Sequence, residues 1–179
     1  MENRPKGVQP HPQLIEMLFA HKIKVSTIFK DVLGMYEINH IAITRVDHQQ
    51  KILVFSSTPA MEFNLFTSNL WTFDNTYAPA WFQIGTQASW ESLYNRDRFN
   101  ELYYTKQIKH HFPTGLSMAV SQKDGFYIYS IASTRCAQEG LEHFVNHKED
   151  FNKIGQYCVN LLNPFFLNTT TPVPKAVVE

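Results

Sequence analysis

The residues best suited to chemistry in this chain are one acidic side chain and the aromatic rings near it in sequence. Asp74 lies in the segment LWTFDNTYAP. A buried carboxylate needs a hydrogen-bond donor from a ligand or from the protein, whereas an exposed Asp-Asn pair is common in turns. Indole and phenol groups supply a few directional hydrogen bonds in an apolar cleft. We expect either a ligand-binding wall with Asp74 as an acceptor, or core packing with Asp74 in a turn. The aromatic residues of this wall are Trp71, Tyr77, Trp81, Trp90 and Tyr94.

Two other sets of side chains have the spacing or reactivity for metal or covalent chemistry. Glu139, His143 and His147 are four residues apart on a predicted helix, and two histidines at this spacing can share a metal ion. Because His147 lies towards the apolar side of that helix, packing is the better explanation, and we predict no metal or other cofactor. Cys136 becomes a nucleophile only if a histidine such as His40 meets it in space. Nothing in the sequence requires this, so we expect a protein that is not an enzyme.

Composition and charge favour a soluble, cytoplasmic single domain. The chain has 179 residues, enough for one domain with a real core. Its 16 basic and 16 acidic residues balance, so we expect no direct contact with nucleic acid. Two cysteines are too few for a disulfide framework and fit a reducing compartment. No apolar run reaches the length of a membrane span, and the first residues do not form a signal peptide. We therefore expect no membrane partner.

The hydrophobic pattern predicts the elements that must position these residues. A hairpin is clearest at HHFPTGLSMAVSQKDGFYIYSIAS, where an Asp-Gly turn joins two β-patterned runs. The predicted order is helix, hairpin, short helix, irregular wall, helix, hairpin and long helix, over residues 13–33, 38–56, 59–67, 69–92, 97–108, 110–133 and 137–163. An irregular arm (1–12) and a flexible tail (164–179) flank this single domain of residues 13–163. The order favours an α+β fold, an α-β-α sandwich around a central antiparallel sheet.

The element order and the closing hairpin resemble the autoinducer-binding domain of LuxR-type quorum-sensing transcription regulators over residues 14–162. The resemblance implies a sandwich related to PAS and GAF sensors and a pocket for an acyl-homoserine lactone. Asp74, Trp90 and Gly115 match the family's aspartate, its later tryptophan and its hairpin glycine. In the family, the aspartate accepts a hydrogen bond from the amide of the ligand.

Other positions depart from the family pattern. With Pro59 placed at the start of the family's short helix, Met61 and Leu65 stand where the family has a tryptophan and a tyrosine that donate to the ligand head. Neither side chain donates a hydrogen bond, and a buried group without a partner costs about 1–3 kcal/mol. We therefore expect a small apolar or amphipathic ligand other than a standard acyl-homoserine lactone, contacted at these two positions. The family's helix-turn-helix output domain has no counterpart before Glu179.

Two hypotheses remain open at this point. The first is a ligand-sensing module that signals through a protein partner or as a homodimer. The second is a protein-interaction module in which apolar side chains such as Met61 and Leu65 have closed the pocket.

Overall fold

The computed structural model describes residues 7–168. This described part contains six strands: β1 (Gln9–Pro10), β2 (His40–Asp47), β3 (Lys51–Ser56), β4 (Gln87–Ser89), β5 (Thr114–Gln122) and β6 (Gly125–Ser133). The α-helices are α1 (Leu14–Ala20), α2 (Lys22–Lys30), α3 (Pro59–Thr67), α4 (Pro79–Phe82), α5 (Trp90–Leu93), α6 (Phe99–Tyr103), α7 (Ala137–Asn146) and α8 (Lys148–Asn168). Short 3-10 turns cover Met35–Glu37, Leu70–Phe73, Asn75–Tyr77 and Arg96–Arg98, and a π-helical turn covers Tyr104–Ile108. No helix in this part of the chain is long and apolar enough to span a membrane.

The strands form one sheet in the order β1-β3-β2-β6-β5-β4. All neighbouring strands are antiparallel except β1, which pairs with β3 in parallel. Helices flank the sheet, which confirms the predicted α+β sandwich around an antiparallel sheet.

Both predicted hairpins are present, and their turns follow from local chemistry. In the β2–β3 turn, the Asp47 carboxylate accepts hydrogen bonds from the backbone N–H groups of Gln49 (2.8 Å) and Lys51 (3.0 Å). In the β5–β6 turn, Gly125 has a φ of 140°, a region that favours glycine. A Cβ atom there would overlap the backbone carbonyl of Val46.

Side chains alternate between the two faces of the sheet, and each face has its own cover. On the first face, α8 approaches so closely that a Cβ atom on Gly155 would overlap the Tyr129 ring. Arg45 on the same face donates from Nη2 to the backbone oxygen of Phe166 at 3.0 Å. This contact holds the end of α8 on the sheet.

The second face, which we call the wall face, is covered by the aromatic segment that the sequence singled out. Phe82 of α4 packs against Phe126 with ring centroids 5.3 Å apart. Trp90 of α5 lies directly over Gly115, where any Cβ atom would overlap the indole. Small residues dominate this face of the central strands: Ala42, Thr44, Ser117, Ala119 and Ser130.

Several predicted boundaries differ from the structure. The predicted helix 13–33 divides at His21 into α1 and α2, and the predicted helix 137–163 divides at His147 into α7 and α8. Within the predicted arm, Gln9–Pro10 forms β1, because the backbone N–H of Gln9 donates to the Gln50 carbonyl just before β3 and that of His11 donates to Ile52 in β3. The predicted tail from residue 164 begins too early.

The last helix continues past Pro164 to Asn168. Phe166 is fully buried and packs edge-on against the rings of Phe55 and Tyr127, so tertiary contact outweighs the helix-breaking tendency of proline. The rest of the predicted arm and tail, residues 1–6 and 169–179, lies outside the described residues.

Replacing Gly155 with alanine tests the close packing of α8. Glycine to alanine inside a helix normally stabilises a protein by about 1 kcal/mol. Here the added methyl overlaps the Tyr129 ring, so we expect the free energy of unfolding to fall by about 1–3 kcal/mol. Urea denaturation followed by circular dichroism gives the value. Asn152→Ala, at an exposed position of the same helix, serves as the control and should not destabilise. A stabilised Gly155→Ala variant would contradict this packing.

Candidate functional site

Asp74 forms one half of a buried ion pair on the wall side of the sheet. Its Oδ2 accepts a hydrogen bond from Nζ of Lys106 at 2.8 Å. Its Oδ1 accepts from the backbone N–H of Thr76 at 3.0 Å, which caps the turn Asn75–Tyr77. Asp74 and Lys106 are only 2 % and 3 % exposed. Asp74 is therefore both a turn residue and a buried acceptor, and its donors come from the protein itself.

The π-helical turn explains how Lys106 comes to point inward. The N–H of Lys109 bonds the carbonyl of Tyr104, five residues back, at 2.9 Å. Three consecutive side chains of this turn, Thr105, Lys106 and Gln107, are buried. Such turns are rare in proteins and frequently lie at functional sites. Here the turn brings two adjacent polar side chains, Lys106 and Gln107, into the interior.

Aromatic rings and an amide complete the surroundings of the Lys106 ammonium. Its Nζ lies 4.3 Å from the ring centroid of Trp90 and 5.5 Å from that of Tyr94, which stabilises the cation. The Tyr94 hydroxyl donates to Oε1 of Gln107 at 2.8 Å, and Nε2 of Gln107 donates to the carbonyls of Phe112 and Pro113, each at 3.2 Å. Burial raises the pKa of the Tyr94 hydroxyl well above its usual value. This tyrosine therefore stays neutral, and its hydroxyl group donates a hydrogen bond to Gln107.

A second polar pair, Glu62 and His40, lies next to the first. Glu62 belongs to α3 and is 3 % exposed, whereas His40 begins β2 and is fully buried. Nε2 of His40 is 3.9 Å from Oε1 of Glu62, and its Nδ1 is 2.9 Å from the Thr58 hydroxyl. The His40 ring meets Trp90 in an edge-to-face contact at 5.7 Å. The two polar pairs therefore share Trp90 as a neighbour.

Burial shifts the titration of this second pair in opposite directions. It raises the pKa of Glu62 to about 7, against smaller opposing effects from a Ser56 hydrogen bond and the Lys106 charge. Burial, with smaller effects from Lys106 and His110, lowers the pKa of His40 to about 3. At neutral pH His40 is uncharged and Glu62 exists both with and without its proton.

Four polar atoms in this cluster are buried with no hydrogen-bond partner among residues 7–168. They are Oε2 of Glu62, Nε2 of His40, Nε1 of Trp90 and Oγ1 of Thr76. Each such atom costs about 1–3 kcal/mol, and native proteins contain few of them. Their concentration around one ion pair marks this region as the candidate site.

The remaining residues predicted from the sequence lie in the same wall. Met61 and Leu65 are buried on α3, on either side of Glu62 in the sequence. Tyr77 is buried against Phe66, at 5.2 Å between ring centroids. Trp71 and Trp81 are only half-buried. The structure thus places Asp74, Trp90, Met61, Leu65 and Tyr77 in the interior, and their contact with a ligand stays a prediction.

The other chemical candidates have ordinary surroundings. His143 bonds the Tyr36 carbonyl at 2.8 Å, and His147 pairs with Asp150 at 3.2 Å. Within the described range 7–168, no three potential ligands are placed to hold a metal ion. Cys136 is exposed, while the interactions of His40 are with Thr58, Glu62 and neighbouring rings.

Sequence reasoning missed Lys106 and Glu62 as site residues. Lys106 falls on the apolar side of its predicted helix together with Leu102 and Tyr103, and a lysine on such a face is a signal of a buried charge. Glu62 lies in the apolar run MEFNLF, where an inward-facing acid is equally unusual. Both signals are visible in the sequence once burial of the wall is considered.

The fold is shared with solved structures of low sequence identity. Escherichia coli SdiA matches with a TM-score of 0.52 and 13% identity, over 82% of this chain and 63% of the SdiA chain. SdiA in complex with octanoyl-rac-glycerol matches with a TM-score of 0.52 and 14% identity, over 86% and 64%. The VqsR LBD domain from Pseudomonas aeruginosa gives a TM-score of 0.49 and 13% identity, over 83% and 91%.

The two SdiA matches show that this chain shares its fold with the matched part of SdiA. This chain spans slightly less than two thirds of the length of the SdiA chains. No protein-family model and no curated protein sequence matches the chain.

A double-mutant cycle tests the buried ion pair. Asp74→Asn and Lys106→Met each leave one buried charge without its partner, so each should lower the free energy of unfolding by about 3–5 kcal/mol. The double variant removes both charges and should lose much less than the sum of the two. Urea denaturation gives the four values. The exposed pair Arg98 and Glu101 provides the control cycle, in which little coupling is expected. Additive losses at Asp74 and Lys106 would show that the pair does not form.

The raised pKa of Glu62 gives a pH-dependent prediction. Its pKa rises from 4.5 to about 7 on folding, so the stabilisation by its protonated form is present below pH 4.5 and is lost as pH rises through 7. Glutamine cannot titrate. Relative to the unmodified protein, Glu62→Gln should therefore gain about 3 kcal/mol between roughly pH 4.5 and 8. His40 is present in both proteins, so its opposite dependence cancels in the difference. If the free energies of unfolding of the two proteins, measured by urea denaturation, change with pH in parallel, the raised pKa of Glu62 is contradicted.

Proposed function

We propose that this chain is a non-enzymatic sensor domain that binds a small, partly apolar ligand between the wall face of the sheet and its aromatic cover. The observation that carries the proposal is the group of buried polar atoms without partners around Asp74 and Lys106. The shared fold adds support, since one SdiA structure holds octanoyl-rac-glycerol.

The ion pair determines which hydrogen-bonding groups remain for the polar head of a ligand. Asp74 already accepts from Lys106 and Thr76. The Lys106 ammonium has three donors, and among residues 7–168 only its bond to Asp74 uses a protein acceptor. Lys106 therefore supplies the donor that Met61 and Leu65 cannot supply. A ligand carbonyl or hydroxyl is its natural acceptor.

The apolar part of the ligand lies along α3 and the aromatic wall. Met61 and Leu65, which are almost completely buried in this structure, are proposed to contact it when the wall rearranges around the ligand, together with Tyr77, Trp71 and Trp81. Apolar contact of this kind contributes about 25 cal/mol per Å² of surface removed from water. Lys106 replaces one of the two family donors at the positions of Met61 and Leu65, so a standard acyl-homoserine lactone remains a poor ligand. Ligand binding orders the wall and changes a surface that a protein partner or a second copy of the chain reads.

We propose the cytoplasm as the compartment. Cys136 and Cys158 are both free, as is usual for proteins in reducing surroundings.

A closed protein-interaction module is the second candidate. Two observations favour it: Asp74 is already satisfied by Lys106, and Met61 and Leu65 are almost completely buried. In this case the wall is a closed, fully packed core without a ligand pocket, and other proteins bind to its outer surface. Such a protein responds to no small ligand.

Thermal denaturation with a panel of octanoyl amphiphiles distinguishes the two functions. The panel contains 1-octanoyl-rac-glycerol, N-octanoyl-homoserine lactone and octanoate. A sensor should show a rise in Tm of roughly 5–10 °C with its preferred compound at about 100 times the Kd. The homoserine lactone should give a smaller rise than the glycerol ester.

The double variant Asp74→Asn/Lys106→Met keeps the interior uncharged and should lose this response. Lys153→Met, at an exposed site on α8, is the control and should retain it. Failure of every compound to raise the Tm of the unmodified protein would favour the closed module.

A further inference from the structure

We infer that Glu62 and His40 select a ligand whose polar head is uncharged and carries a hydroxyl group. This inference rests on the proposed function and adds to it the chemical class of the ligand.

The first argument is the position of the atoms that lack partners. Oε2 of Glu62, Nε2 of His40 and Nε1 of Trp90 belong to side chains that are each more than nine-tenths buried. His40 is the neighbour of both other side chains: its Nε2 lies 3.9 Å from Oε1 of Glu62, and its ring centroid lies 5.7 Å from that of Trp90. A group placed beside His40 is therefore close to the other two side chains.

The second argument is the hydrogen-bonding character of these atoms. The Trp90 indole can only donate, whereas a carboxylate oxygen of Glu62 can only accept. Neutral His40 has one accepting nitrogen, assigned to Nδ1 or Nε2 by its tautomer. A hydroxyl both donates and accepts, so it can accept from Trp90 and donate to Glu62 or His40. An ether or ester oxygen lacks the proton for the second bond.

The third argument is the charge balance of the site. Asp74 and Lys106 neutralise each other at 2.8 Å, and His40 is uncharged because burial lowers its pKa to about 3. A carboxylate head would be buried beside Glu62 and Asp74, with the Lys106 ammonium already paired to Asp74. An alkylammonium head would be buried beside Lys106. A carboxylate head would therefore remain without a counter-charge of its own. An ammonium head would have Glu62 as its counter-charge, but burial favours the uncharged acid of that residue.

Four compounds with an eight-carbon chain and different head groups test the inference. They are 1,2-octanediol, methyl octyl ether, octanoate and octylamine, and their binding is measured by isothermal titration calorimetry. We expect the diol to bind at least about 10-fold more tightly than the ether, which corresponds to about 1.4 kcal/mol. Octanoate and octylamine should bind more weakly than the diol.

Variants of Glu62 assign the effect to this residue. Glu62→Met removes the hydrogen bond and should weaken diol binding about 10-fold while leaving ether binding unchanged. Glu62→Gln keeps an acceptor and a donor and should stay within about 3-fold of the unmodified protein. Ala60→Gln, at an exposed position of the same helix, should bind every compound as the unmodified protein does.

The outcomes separate this inference from the proposed function. Equal affinity for the diol and the ether, tightest binding of octanoate or octylamine, or an equal loss of both uncharged compounds in Glu62→Met would overturn the inference and leave the sensor function standing. If none of the four compounds binds and the octanoyl panel also fails, the proposed function is wrong and the inference falls with it.

Discussion

The wall of this domain depends on the ion pair between Asp74 and Lys106. It joins the irregular segment that follows α3 to the π-helical turn that follows α6, two regions 32 residues apart in sequence. The pair also positions Trp90. The Lys106 ammonium lies over the Trp90 ring, and Gly115 of β5 leaves room for the indole on the sheet. A buried ion pair is costly unless its geometry is good and its remaining hydrogen bonds are made. Asp74 meets this condition through Lys106 and Thr76.

The second pair, Glu62 and His40, makes fewer hydrogen bonds than its burial would require, in contrast to Asp74. Glu62 and His40 are buried as deeply as Asp74 and Lys106, yet each keeps an atom without a hydrogen-bond partner among residues 7–168. Burial drives both towards their uncharged forms. The interior therefore combines one strong, charge-neutral ion pair with adjacent groups that still have hydrogen-bonding capacity. A domain whose only task was to pack its core would be more stable with apolar side chains at these positions.

Regular elements were readily predicted from the sequence, and tertiary effects were not. Alternating residues around Asp124-Gly125 predicted the β5–β6 hairpin, and the apolar stripe near Cys158 predicted the body of α8, because both signals are local. The continuation of α8 past Pro164 depends on Arg45 and the packing of Phe166, which come from distant strands. For the site, the sequence around Asp74 and the family resemblance drew attention to Asp74 and Trp90. The position of Lys106 on an apolar helix face indicates burial, but the π-helical turn that brings it to Asp74 has no local sequence pattern. Glu62 was overlooked because an acid on a short helix is normally exposed.

The central claim is that the Lys106 ammonium is held by Asp74 and contacts the ligand head. Nitrogen-15 NMR of lysine side chains at low temperature tests it most directly. The account predicts one ammonium signal with slow proton exchange, absent in Lys106→Met, that shifts when an amphiphile raises the Tm, while the signals of exposed lysines such as Lys153 do not. A Lys106 ammonium that exchanges as fast as that of Lys153, or that is unchanged by a compound that binds, would contradict the account.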